Sequence, residues 1–193
     1  MKLAHVLGEL VARLDAHGVA YAVVGGLAAS ARGEARFTRD IDVAVMVDND
    51  EEAELSIHRL VQEGYVVIAT VEQEATHRLA TARLKHPDGV VCDLIFATCG
   101  IESEIVTSAE RVELLPGKWV TTATAESMVA MKVLSASAKR PRDLGDLQAM
   151  LRANPTFDES RVASLLRAIE ARGYSRGQAL SEKWRKLRSE LGE

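Results

Sequence analysis

Leu3, Val6, Leu7, Leu10, Val11 and Leu14 fall at i, i+3 and i+4 steps, so the spacing predicts an amphipathic helix over residues 2–16, ended at Gly18. The apolar run 20–24 (AYAVV) reads as a short strand that Gly25-Gly26 breaks. Residues 27–32 (LAASAR) then read as a helical turn or two, and 33–39 as a polar loop. From Asp40 to Val47 the pattern alternates. Ile41, Val43, Val45 and Val47 take one face of a strand, and Asp40 and Asp42 take the other. A charged helix at 50–63 closes at Gly64, and strands follow at 65–71, 78–85 and 90–97. His86-Pro87-Asp88-Gly89, between the last two strands, is a hairpin signal. A short helical piece at 101–109, a strand at 111–115, the Pro116-Gly117 turn and a strand at 118–122 complete this part. From Thr124 the pattern is helical throughout: 125–138, 142–153, 158–172 and 177–191. Thr156 and Glu159 stand at capping-box spacing, and Gly173 is a natural stop. The expected fold is α+β: a mixed β-sheet with flanking helices over 1–123, then a C-terminal helical region over 124–193.

Composition narrows this picture in three places. Aromatic residues are only 4% of the 193, so Val, Leu, Ile and Ala must build the core. The longest uncharged run, Gly18–Ala31, is 14 residues and is broken by Gly25-Gly26, too short to span a membrane. The first residues carry charges inside their apolar pattern and read as a helix, not a signal peptide, so a cytoplasmic protein without a membrane partner is expected. Cys92 and Cys99 lack metal-ligand spacing and suit a reducing compartment as buried small hydrophobes. The five histidines are scattered, and Trp119 and Trp184 read as packing anchors. The formal net charge of −4 is unevenly spread. From Lys139 onward there are 12 Lys+Arg against 8 Asp+Glu; the residues before it hold 12 against 20. An acidic first part suits cations, and a basic tail suits a polyanion or a solvated helical surface.

The acidic residues carry the candidate chemistry. Asp40 and Asp42, on one face of a strand with Cα atoms roughly 6.5–7 Å apart, repel each other unless something positive lies between them. The candidates are a metal ion, an Arg or Lys cluster, or open water, and divalent ions prefer such hard oxygen ligands. Asp93 stands in the otherwise apolar run Val90–Phe96, where a carboxylate is costly without a cationic partner. Three carboxylates on adjacent strands are what a two-metal phosphoryl-transfer site requires. A strand, Gly25-Gly26 and a helix let backbone approach a ligand and aim N–H groups at an anion, although a tight turn explains the glycines equally well. Lys132 interrupts an apolar stripe and either snorkels to water or meets an anion. Asp143 and Asp146 lie one helical turn apart, as charges favoured at a helix start, or as acids that neutralise Lys132 or orient a nucleophile.

The conjunction of Gly25-Gly26, thirteen intervening residues and Asp40-Ile41-Asp42 resembles the nucleotidyltransferase superfamily. "GGLAAS…R.TRDIDV" with "ESMVAMKVLSASAKRPRDLGDLQAML" is similar to its AbiEii-like toxin branch, over residues 20–152. The resemblance implies a nucleotidyltransferase-like fold of the polymerase-beta type and a transfer of NMP from an NTP such as ATP or CTP to an acceptor hydroxyl. It implies that Gly25 and Gly26 cradle the triphosphate and that Asp40 and Asp42 bind metal, with Asp93 as third ligand or base. Lys132, Arg36 and Thr38 would contact the nucleotide, with Asp143 and Asp146 as the later acidic motif. The implied cofactor is Mg²⁺, two ions, with Mn²⁺ as substitute. The implied partners are the nucleotide, a tRNA or other RNA acceptor and a cognate antitoxin. Many relatives have serine where Gly26 stands; Ser30 is a candidate to replace its hydroxyl.

Other readings remain at this point. The superfamily also contains enzymes that modify small hydroxylated molecules such as antibiotics. A glycosyltransferase also uses an Asp-x-Asp metal site, and a non-catalytic interaction module can share the fold. The glycines placed before the acids and the third acid argue against the glycosyltransferase.

Overall fold

The computed structural model describes residues 2–32, 38–136, 141–154 and 156–190; its described side chains exclude those of residues 32, 115, 141–144 and 146. Helix α1 (Lys2–Ala16) buries Val6, Leu7, Leu10 and Leu14 and leads into β1 (Tyr21–Val24), whose four residues are all buried. Helix α2 (Gly25–Arg32) begins at the glycine pair itself, earlier than the sequence pattern indicates. After β2 (Asp40–Val45) comes α3 (Asp50–Gln62), capped by Asn49, whose side chain accepts from the Glu52 N–H. Strands β3 (Val66–Glu72), β4 (Leu79–Lys85) and β5 (Val91–Ile95) follow, then α4 (Glu102–Thr107) and the hairpin β6 (Glu110–Leu115) and β7 (Lys118–Thr122). The last elements are α5 (Ala125–Ser135), α6 (Pro141–Ala153), α7 (Glu159–Ala171) and α8 (Leu180–Glu190).

The seven strands form one mixed sheet in the order β3-β4-β5-β2-β1-β7-β6. Strand β2 lies at its centre, antiparallel to β1 and parallel to β5. The period of two sends its side chains to opposite layers. Ile41, Val43 and Val45 join α1, α3 and Tyr65 in one apolar cluster. Ala44 joins Ala22, Val24 and the helices α5 to α8 in the other. Asp40 and Asp42 therefore face the layer roofed by the C-terminal helices.

Four local expectations are corrected. Trp119 is 56% exposed on the β6–β7 hairpin and anchors no core, whereas Trp184 is buried against Phe157. Helix α7 is capped not by a Thr156/Glu159 box but by Asp158, whose carboxylate accepts from the Ser160 and Arg161 N–H groups. Helix α8 starts at Leu180 and not 177, because Arg176 and Gly177 both hold positive φ, +56° and +70°, which no helix continues through. Helix α5 ends at Ser135; residues 137 and 138 lie outside the described residues.

Candidate active site

The site is assembled by three central strands and one helix start. Val24, the last residue of β1, stands opposite Asp42 of β2, and Asp42 stands opposite Asp93 of β5. Direct cross-strand neighbours share a face, so Asp42 and Asp93 lie on the same side of the sheet, with Asp40 two residues along from Asp42. The chain turns from β1 into α2 directly over this face. Gly25 makes that turn with φ +64°, and a Cβ there would lie 1.9 Å from Asp42 Oδ2. Both the left-handed backbone and the closeness of the carboxylate exclude a side chain. The Gly26 backbone amide lies close enough to the Asp42 carboxylate to favour its charged form.

Asp42 is mostly buried. Burial first, and then the negative charges of Asp93 and Asp40, push its carboxyl up to about 6, with the Gly26 amide and Lys132 pulling the other way. Asp93 has a different partner. It is buried, and Arg83 of β4, its direct cross-strand neighbour, grips both of its oxygens: Nε donates to Oδ1 at 2.8 Å and Nη2 to Oδ2 at 2.7 Å. The three carboxylates together hold the Arg83 guanidinium firmly charged. The run around Asp93 does contain a charge that demands a partner, and the fold supplies that partner from within.

Lys132 of α5 lies close enough to act on Asp42, and both line a cavity of about 260 Å³. Gly25, Gly26, Thr98, Ser135 and Arg176 line the same space. A larger groove, about 720 Å³, lies between α3 and β3, away from every acid of the site. The smaller cavity is the one at the chemistry. Thr38 donates weakly to the Asp40 carbonyl at 3.4 Å, just before β2. Arg36 lies outside the described residues, as do the side chains of Asp143 and Asp146, although α6 carries both positions. Ser30 turns its hydroxyl back onto the Gly26 carbonyl, 2.9 Å away, inside α2.

Two site neighbours escape the sequence pattern. Arg83 was findable: a hairpin folded about 86–89 brings residue 83 opposite residue 93. Arg176 was not, because it arrives from the α7–α8 turn, and no periodicity announces a non-glycine residue at positive φ.

Among the described residues, no group of three or more His, Cys, Asp and Glu is gathered tightly enough to hold a metal ion. Asp40 and Asp42 do fit a cation. They sit side by side over a buried floor, and the raised proton affinity of Asp42 marks a place short of positive charge. Asp93 fits less directly, since Arg83 already occupies one lone pair on each of its oxygens.

Residues 9–191 match the family described as nucleotidyl transferase AbiEii toxin of type IV toxin–antitoxin systems. The chain belongs to this AbiEii family. It is a nucleotidyltransferase, and the mixed sheet with its helices is the fold such enzymes share. A solution structure of the antibiotic-resistance factor ANT(2'')-Ia is similar at TM-score 0.58 and 18% identity, covering 89% of this chain and 92% of that one. ANT(2'')-Ia in complex with adenylyl-2''-tobramycin gives TM-score 0.58 and 17% identity, over 89% and 99% of the two chains. An antigenic nucleotidyltransferase-like protein from Paracoccidioides brasiliensis gives TM-score 0.55 and 19% identity, over 94% and 91%. No curated protein matches the AbiEii-family chain in sequence. Among its described residues, no helix is long and apolar enough to cross a membrane.

Proposed function

We propose that this AbiEii-family protein transfers a nucleoside monophosphate from a nucleoside triphosphate to a hydroxyl of an RNA acceptor, with tRNA the foremost candidate. The observation that carries the reading is the meeting of Asp40, Asp42 and Asp93 on one sheet face beneath the Gly25–Gly26 turn and beside Lys132. Residues 1–123 serve as the catalytic core, and 124–193 complete the site by bringing Lys132 and α6 over it.

The acceptor oxygen attacks the α-phosphorus, the bond to the β-phosphate oxygen breaks, and pyrophosphate leaves. Asp40 and Asp42 would hold a divalent ion, Mg²⁺ or Mn²⁺. When bound, such ions neutralise the triphosphate and acidify the acceptor hydroxyl. Gly25 and Gly26 let the phosphates approach the backbone without a side chain in the way. Lys132 would place a positive charge on the phosphates, with Thr38, just before β2, and Arg36 as further nucleotide contacts. Asp93 takes the acceptor proton on a lone pair that Arg83 leaves open, while Arg83 fixes the carboxylate's orientation. Asp143 and Asp146, at positions carried by α6, would neutralise Lys132 or orient the nucleophile.

The RNA acceptor rests on the family's description as toxins and on the basic surface of the last helices, where α8 reads LSEKWRKLRSE. A cognate antitoxin protein is the expected counterpart. Two free, buried cysteines suit a reducing cytoplasm.

The test is incubation with each labelled nucleoside triphosphate and total tRNA, with and without Mg²⁺. Label on RNA, lost steeply as salt rises, supports the reading. Label on a small hydroxylated molecule, indifferent to salt, replaces the acceptor. Asp42→Asn removes the charge at nearly constant volume and abolishes transfer while the circular dichroism spectrum stays native; wild-type turnover by this variant refutes the assignment.

A further inference from the structure

The sheet is unevenly covered. Strand β3 is an edge strand, paired among the described residues with β4 alone, and all seven of its residues are exposed, including Val66 (63%), Ile68 (50%) and Val71 (56%). Natural edges are protected by lysines, prolines, bulges or a covering element. This one has two register breaks, at Val67/Ala69 and Val71/Glu72, and no lysine or proline. Beside it α3 leaves Leu55 and Val61 exposed. The space between the two elements is the groove of about 720 Å³. Its floor is apolar: Leu55, Val61, Val67 and Leu79. Its rim carries the acids Glu51, Glu54 and Glu72, with His58 among them and Asp50 already ion-paired. The nearby Arg78 is already committed to Asp50, at 2.8 Å.

We propose that the groove between α3 and β3 is a docking site for a basic amphipathic helix of a partner protein, seated with its apolar face on Leu55, Val61 and Val67 and its lysines or arginines against the acidic rim. Three observations select this occupant. The register breaks interrupt the regular ladder that an added strand needs, which disfavours strand pairing. Helix α3 is 13 residues, about 20 Å long, and matches a three-turn helix laid alongside it. The rim charge selects a cationic partner and repels a second copy's equivalent surface. The chain's own basic helix α8 is no substitute, because its apolar residues Leu180 and Trp184 are buried. The groove lies apart from the Asp40/Asp42 face, so docking there does not depend on the proposed RNA acceptor.

The experiment uses the full chain and two synthetic 14-residue helical peptides with leucine at i, i+3, i+4 and i+7 spacing. One carries lysine at the remaining positions and the other glutamate. Calorimetry should show binding of the lysine peptide only, with slowed amide exchange at residues 54–72. Glu51→Gln with Glu54→Gln should weaken binding about tenfold, Leu55→Asp should abolish it, and nucleotidyl transfer should be unchanged in both. Equal binding of the glutamate peptide, binding indifferent to these variants, or protection confined to the Asp42 face overturns the proposal. So does a homodimer in light scattering that Leu55→Asp dissociates, because the groove is then filled by a second copy. Loss of docking with intact transfer, or the reverse, keeps this inference separate from the assignment of the active site.

Discussion

At the scale of single residues, Gly25, Asp42 and Arg83 each hold an arrangement that is unfavourable on its own and useful in context. Gly25→Ala puts a Cβ where Asp42 Oδ2 now lies and forces an L side chain to φ +64°. The expected cost is about 1–3 kcal/mol in urea denaturation, with transfer lost because the turn must move. Asp42 has a sign that can be worked out. Its folded proton affinity is raised, to about 6, above the unfolded value of about 3.9, so the native state holds this proton more tightly. Ionising it therefore costs stability, progressively as pH rises from about 4 through 6. In metal-free buffer, Asp42→Asn should stabilise the protein by about 1–3 kcal/mol at pH 8 and by almost nothing at pH 4. An equal effect at both pH values would show that its charge is not strained. Arg83→Gln should destabilise by about 1–3 kcal/mol, since it leaves buried Asp93 without its two donors. Adding Asp93→Asn should recover part of that loss, and a double-mutant cycle with no coupling would contradict the pairing.

At the scale of elements, the boundaries follow the chemistry of the ends. Helix α6 carries Gly145 in its interior, exposed, with no atom within 4 Å of where a Cβ would stand. Gly145→Ala should raise stability by about 0.5–1 kcal/mol, read as a higher urea midpoint at unchanged slope. Helix α4, which follows β5, is tied down from the C-terminal part. Arg172 donates to both Glu104 oxygens, at 2.6 and 3.0 Å, and holds that carboxyl low, at about 2. That contribution is present above the ordinary glutamate range and fades only as pH falls toward 2. Most of these elements were legible, because apolar spacing at 3.6 or 2 residues marks what packs against what: α1, β2 and the β4–β5 hairpin follow it closely. Trp119 was misread because a large aromatic residue predicts burial only on average, and here it stands on a two-stranded hairpin that little covers. The start of α8 was misread because positive φ at Arg176 depends on the surrounding packing and not on residue type.

At the scale of the whole molecule, the site's membership was more legible than its electrostatics. The spacing of Gly25, Gly26, Asp40, Asp42 and Asp93 identified strands and a turn that the fold brings together. Which carboxylate would be strained and which neutralised depended on strand order, and strand order is not written in local periodicity. With β5 parallel to β2, and β4 antiparallel to β5, Arg83 reaches Asp93 and leaves Asp42 to bear the burden. The same order has a consequence for how the protein comes apart. Strands β1, β2 and β5 are each flanked on both sides, while β3 and β6 form the two margins. Amides at Val43 and Leu94 should exchange with deuterium only through complete opening of the molecule, and those of β3 through fraying orders of magnitude faster. The three acids should therefore stay together while the margins fray and part only when β2 and β5 open, so a compound gripping them will lengthen the lifetime of the central strands, and not of β3, against a protease.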